Sequence, residues 1–310
     1  MTVRQWKRLI TLVVLALIVS LAVALIVVSV KAHKLDDILS ENEEIIAFLN
    51  DAEDSGTITT EDIAEMSKEI NAKQGQEKPE YESKYSKLYV ENDFVYEEDS
   101  EGAKKVYLTF DDGPSTENTE KILKILDKYD IKATFFVIYH DSEKENKLLK
   151  KIADAGHTIG VHTASHNYEK IYSSVDAYLK DFNKMAKHIK EVTGQMPEIY
   201  RFPGGSVNSY NGAVYEQIIA EMTRRGFTYY DWDVGSGDAS YGTASTNWIA
   251  NNVIKGVSKY RTNVVLMHDT NAKDTTVEAL PKIIETLQKK GYKFDKLTKE
   301  VKPVVFGYLS

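Results

Sequence analysis

The chain has 310 residues, 42% of them apolar and 28% charged, a globular composition that excludes collagen-like and wholly disordered chains. Acidic residues outnumber basic ones by 47 to 39, a formal net charge of −8, so no nucleic-acid partner is expected. It has no cysteine, which excludes a disulfide scaffold, thiolate metal sites and a cysteine nucleophile.

Residues 1–8, with Arg4, Lys7 and Arg8, are read as a cytoplasmic tail. Leu9 to Val30 is uncharged throughout. At about 1.5 Å per residue such a helix spans a hydrocarbon core of roughly 30 Å, so 9–30 is predicted to be a transmembrane signal anchor. Lys31-Ala32 is a poor match to a small-residue cleavage site, which favours an uncleaved anchor. The rest of the chain is then expected outside a cell membrane that it crosses once.

Residues 31–103 are predicted to be an extracellular helical stalk and linker. Leu35, Ile38, Ile45, Leu49 and Ala52 fall on three- and four-residue steps. That pattern is shorter than three heptads, so an amphipathic helix near the membrane is preferred to a weak stalk dimer. Thr59 and Thr60 can cap a second helix carrying Ile63, Met66 and Ile70, and the polar run Asn71 to Ser86 reads as linker.

From residue 104 to 310 the pattern is that of one α/β domain. Strands are expected at Val106–Phe110, Thr134–Ile138, Thr158–Val161, Ile199–Phe202, Thr228–Tyr230, Val264–Met267 and near Tyr292. Helical stretches alternate with them: Thr119–Lys128, Lys147–Ala155, Val175–Val192, Ala213–Arg225, Trp248–Ser258 and Val277–Lys289. This alternation predicts a (β/α) barrel of about seven parallel strands, with a doubly wound sheet as the alternative. No phosphate-cradling glycine motif follows the first strand.

In a parallel barrel the carboxyl ends of the strands carry the active site. Polar clusters fall at those ends here: Asp111 and Asp112, His162 and His166, Arg201, Asp231 to Asp238, and His268 with Asp269. Imidazole with carboxylate suits zinc, cobalt, nickel or iron better than magnesium or calcium. The four-residue spacing of His162 and His166 is expected to place both rings on one side of a helical turn. One aspartate from another strand end completes three protein ligands and leaves a position for water, whose pKa a bound metal lowers to about 7. As sequence neighbours, Asp111 and Asp112 are expected to divide the work, one on the metal and one taking a proton from the water.

These segments resemble the polysaccharide deacetylases, the NodB-homology domain or carbohydrate esterase family 4. Thr109-Phe110-Asp111-Asp112-Gly113-Pro114 and His162-Thr163-Ala164-Ser165-His166 are similar to the first two motifs of that family. Arg201-Phe202-Pro203-Gly204-Gly205, Trp232 to Asp238 and Leu266-Met267-His268 are similar to the third, fourth and fifth, in the same order over residues 104–295. The resemblance implies a distorted (β/α) barrel and a set of roles. Asp111 is the implied base, held by Arg201. Asp112, His162 and His166 are the implied ligands of one divalent metal, zinc first, with cobalt or another transition metal as alternatives. The Gly204 amide is an implied oxyanion donor. Asp238 orients His268, the implied general acid, and Trp232 and Leu266 line the acetyl pocket.

The fourth motif departs from the family at Gly235, where an aspartate is usual, and at Ala239, where a tryptophan is usual. The third has Gly204-Gly205 instead of a bulky residue, which is expected to open space. His157 reads as a structural histidine, and His33, His140 and His188 as surface residues. Asp269 is either a supporting residue or a solvated strand end. Asp231 and Asp233 are candidates to support the metal or Arg201. The membrane-anchored peptidoglycan N-acetylglucosamine deacetylases are the nearest resemblance, implying acetate release from an N-acetylated glycan polymer at the surface of a Gram-positive-type bacterium. Exopolysaccharide, chitin oligomers and O-acetylated polymers are alternative substrates. A non-catalytic glycan-binding protein on a membrane tether is the alternative of another class.

Overall fold

The computed structural model describes residues 79–97, 104–239, 244–257 and 262–306. The expected anchor at 9–30 and the stalk helices before residue 79 lie outside them. Among the described residues no helix is long and apolar enough to cross a membrane.

Among the described residues eight strands form one parallel sheet: β1 (Lys105–Asp111), β2 (Thr134–Val137), β3 (Thr158–Val161), β4 (Ile199–Tyr200), β5 (Thr228–Tyr229), β6 (Val234–Gly235), β7 (Asn263–His268) and β8 (Lys293–Asp295). Their order is β5-β4-β3-β2-β1-β7-β6, with β8 also paired to β1. β5 and β6 are the two ends of this order and are not paired, so the barrel is open there. The helices are α1 (Thr119–Lys128), α2 (Glu143–Asp154), α3 (Tyr168–Ile171), α4 (Val175–Thr193), α5 (Tyr215–Arg224), α6 (Thr246–Gly256) and α7 (Asp274–Lys289). Ser142 accepts the Glu145 amide and so starts α2 four residues before the apolar pattern does.

Strand periodicity sorts the side chains into two layers. Val106, Leu108 and Phe110 of β1, with Val265 and Met267 of β7, join the main core that also contains the buried faces of the helices. Tyr107, Phe136, Ile199, Tyr230 and Val264 point the other way and pack with Leu297 and Val301 from the segment after β8. Stepping by two along this inner face leads from Tyr107 to Thr109 and Asp111, from Ile199 to Arg201, and from Val264 to Leu266 and His268. The alternation that builds the inner core therefore aims the polar residues at its carboxyl end.

Two expectations change. β6 is an additional strand that sequence reading absorbed into the fourth motif; it pairs Val234 with Val265 and Gly235 with Leu266. Asp238 therefore follows β6 and not β5. Residues 79–97, placed before the expected domain boundary at 104, belong to the compact unit that starts at Pro79. Leu88 and Val90 are buried in the main core. Buried Arg225 fastens this segment by donating to the carbonyls of Tyr81, Lys84, Tyr85 and Leu88 and to Glu221.

Candidate active site

The neighbours Asp111 and Asp112 diverge because the backbone changes hand between them. Asp111 ends β1 on the inner face, whereas Asp112 has a left-handed φ of 72°. Asp111 is 2% exposed and accepts a hydrogen bond from Arg201 Nη1 at 2.8 Å. Burial pushes its carboxyl above the usual carboxylate range, and the Arg201 guanidinium pulls against that rise. Arg201 is itself fully buried and donates further bonds to Thr109 Oγ1, the Tyr230 carbonyl and the Asp231 carbonyl. Its guanidinium lies 4.2 Å from the centre of the Phe136 ring.

His162 and His166 do come together, with ring centres 5.1 Å apart, but not on a helical turn. They lie in the loop between β3 and α3, where Thr163 and His166 are left-handed at φ 68° and 49°. A β-branched residue in that region is strained. Asp181 of α4 offsets the strain by accepting the amides of Ala164 and Ser165 at 2.5 and 3.1 Å.

Asp112, His162 and His166 are the group of three ligand-type residues that converge among the described residues, each with one ligand atom within 4.8 Å of the others. The residues fit a divalent ion. The buried Asp112 Oδ1 has no hydrogen-bond partner, although the His162 and His166 Nε2 atoms stand 3.7 and 3.4 Å from it. The second ring nitrogen of His162, Nδ1, is 2.9 Å from the Arg201 carbonyl, which fixes it as the N–H donor and leaves Nε2 with its lone pair. Burial pushes the His162 imidazole down to about 3, so the ring is neutral at ordinary pH. A buried carboxylate oxygen without a hydrogen-bond partner, facing two imidazole nitrogens at these distances, calls for a cation.

On the other side, His268 Nδ1 lies 2.8 Å from Asp238 Oδ1, and its backbone amide donates to Asp238 Oδ2 at 2.8 Å. Thr276 and Lys273 also donate to Asp238, at Oδ2 and the carbonyl respectively. Burial pushes His268 down, but the bond to Asp238 and its charge, with the carboxylates of Asp111 and Asp112 beyond, raise it overall. Asp238 is lowered: burial raises it, and the His268 contacts outweigh that. Leu266, two residues before His268 on the same face of β7, is part-exposed, as is Trp232.

Several residues stand apart from their sequence readings. Asp269 is fully buried and not a solvated strand end. Its carboxylate accepts from Ser115 and Thr119 and its amide donates to the Asp111 carbonyl, so it ties the Asp111–Ser115 loop to α1. A Cβ on Gly113 would come within 2.5 Å of Asp269 Oδ2, so the loop accepts no side chain there. Asp231 supports Arg201 through its carbonyl, not its carboxylate. Asp233 accepts the Val264 amide and so fastens the strand after Trp232. His157 is the expected structural histidine, accepting the Ala133 amide. His140 and His188 are half-buried and partnered, by Glu145 and by the Tyr139 ring, and are not bare surface residues. The space expected beside Gly204-Gly205 is filled by rings from Tyr168 and Phe306. Sequence missed Asp181, Tyr168 and Phe306, which lie in no motif and reach the site through the fold.

Residues 98–228 match the family model described as polysaccharide deacetylase. A Bacillus subtilis protein provisionally named a polysaccharide deacetylase, YheN, is 35% identical over 208 residues, 66% of this chain and 70% of that protein. The chain belongs to the polysaccharide deacetylase family. A peptidoglycan-N-acetylglucosamine deacetylase of Bacillus cereus is 33% identical to this deacetylase, over 62% of this chain and 68% of its own. The crystal structure of the catalytic domain of peptidoglycan N-acetylglucosamine deacetylase from Eubacterium rectale ATCC 33656 matches with TM-score 0.65 and 38% identity, over 70% of this chain and 97% of that one. The chain is thus a polysaccharide deacetylase whose fold carries its polar residues at one end of the sheet.

Proposed function

We propose that this deacetylase hydrolyses the acetamide of N-acetylglucosamine units in peptidoglycan, outside the cell, while held to the membrane by residues 9–30. The observation that carries the reading is a base-like carboxylate, Asp111, and an acid-like imidazole, His268, placed about the lone-pair triad of Asp112, His162 and His166. The two relatives named above for peptidoglycan N-acetylglucosamine support the substrate.

A divalent transition ion bound by Asp112, His162 and His166, zinc first, supplies Lewis acidity and lowers the pKa of water. Asp111, oriented by Arg201, takes the proton from the attacking water. The Gly204 amide donates to the oxygen that gains charge. His268, its Nδ1 proton held by Asp238, presents Nε2–H to the leaving nitrogen. The C–N bond breaks, the nitrogen takes that proton, and acetate and a glucosamine unit result. Trp232 and Leu266 enclose the acetyl methyl.

The test incubates the full chain with peptidoglycan and with N-acetylglucosamine oligomers, with and without zinc or cobalt, and counts acetate and new amines. Equal amounts of both are expected. Acetate without amine would replace this reading with an O-acetyl esterase, and binding without acetate would replace it with a glycan-binding protein.

The pH profile has a defined sign. Asp238 raises the His268 pKa, so the protonated acid persists above the ordinary histidine range and activity falls only as pH passes the raised value. Asp238→Asn removes that cause. The alkaline limb of kcat/KM should move to lower pH, and a limb that stays in place would separate His268 from the proton transfer.

A further inference from the structure

The loop after β4 has two successive left-handed glycines, Gly204 at φ 77° and Gly205 at φ 88°. Each leaves room for a ring. A Cβ on Gly204 would stand 2.7 Å from Tyr168 Cε1, and one on Gly205 would stand 2.7 Å from Phe306 Cε2 and 3.4 Å from Trp232 Cη2. The ring beside Gly205 therefore comes from the carboxyl-terminal segment, about a hundred residues later in the chain.

That segment is latched. The Asp231 amide donates to the Val304 carbonyl at 2.8 Å, and the Phe306 amide donates to Asp231 Oδ2 at 2.7 Å. Asp231 is fully buried, and its carboxylate also accepts from the amide and hydroxyl of Ser206. The backbone on either side of Val305 is thus fixed by the residue whose carbonyl holds Arg201. The Phe306 ring packs edge-on against Trp232, with centres 4.7 Å apart, yet is 45% exposed. A half-exposed ring has no need of such fastening to fill a core. Its place is beside Trp232, the residue proposed to enclose the acetyl methyl, with half of its surface open to solvent.

Resting on the function proposed above, we propose that Phe306 is a sugar-stacking platform that takes a pyranose neighbouring the one losing its acetyl group, so that the enzyme prefers a polymer to a single sugar. A pyranose presents axial C–H groups on one face, and an aromatic ring covers that face without a charge or a hydrogen bond. Continuity with Trp232 makes the occupant the same glycan strand.

The experiment measures binding and turnover separately. Affinity for N-acetylglucosamine oligomers of increasing length is read in an Asp111→Asn background, with and without Phe306→Ala. Turnover of a small aryl acetate, which has no second sugar, is read with Asp111 intact. Phe306→Ala is expected to weaken tetramer binding about tenfold, to flatten the rise of affinity with length, and to leave aryl acetate turnover unchanged. Phe306→Tyr, which keeps a ring, should restore tetramer binding. An equal loss on tetramer and aryl acetate, or tetramer binding unchanged by Phe306→Ala, overturns the platform. Absence of acetate release by the unaltered protein, with length-dependent binding still lost in Phe306→Ala, overturns the proposed chemistry and leaves the platform standing.

Discussion

The His162→Ala protein should retain less than about a thousandth of the activity and should lose its divalent ion on desalting. A metal's Lewis acidity contributes several kcal/mol, and about 1.4 kcal/mol is tenfold in rate. His162 is the ligand to choose because the Arg201 carbonyl fixes its tautomer, so its Nε2 lone pair is already aimed at Asp112 and His166. Asp112→Asn should behave in the same way. Asp111→Asn should lose activity and keep the ion, since Asp111 is committed to Arg201. Metal content by elemental analysis after dialysis separates the two carboxylates. Full metal in His162→Ala, or none in Asp111→Asn, would refute the division of roles.

Arg201→Met should be the most destabilising single change at the site, by about 3–5 kcal/mol, the usual cost of stranding one half of a buried ion pair. Four acceptors lose their donor together: Thr109 Oγ1, Asp111 Oδ1 and the carbonyls of Tyr230 and Asp231. The loss has a pH signature. The Asp111 pKa is already raised by burial, and the guanidinium is what opposes that rise. Without it the folded-state value climbs further. A carboxyl raised on folding favours the native state while protonated and loses that contribution as pH rises through the folded value. The deficit of Arg201→Met should therefore shrink in acid and grow toward neutrality. Chemical denaturation at two pH values, against the unaltered protein, measures this. A deficit independent of pH would mean that the arginine acts through packing and carbonyl bonds alone.

The strands that sequence read best are those with the longest apolar runs. Val106–Phe110 in β1 and Val264–Met267 in β7 are followed directly by Asp111 and His268, so both their existence and the polar groups at their carboxyl ends were legible. β6 was not, because two residues are too few for periodicity, and its pairing with Val265 and Leu266 is a property of the sheet. His162 and His166 were found by their spacing, while the backbone that joins them depends on Thr163 adopting a left-handed turn under the hold of Asp181. No local pattern announces a carboxylate arriving from a helix. The same holds for Tyr168 and Phe306. Two glycines in the third motif suggested an opening, and only the fold reveals which distant rings close it. Residues 79–97 fell within the expected stalk and linker, yet Leu88 and Val90 are buried in the main core and Arg225 holds the carbonyls around them.

β1 occupies an unusual position in the sheet. β7 runs along residues 106–111 of it, while β8 pairs with residues 105–107 and β2 with residues 109–111. Both edges of the strand are thus bonded up to Asp111. Such a strand is expected to open with the global unfolding of the domain, which hydrogen exchange of its amides would measure. The proposed proton acceptor is consequently among the slowest parts of the molecule to breathe, and local fluctuation cannot strip the enzyme of it. Mild heat would therefore displace Asp111 from the site only by unfolding the whole molecule.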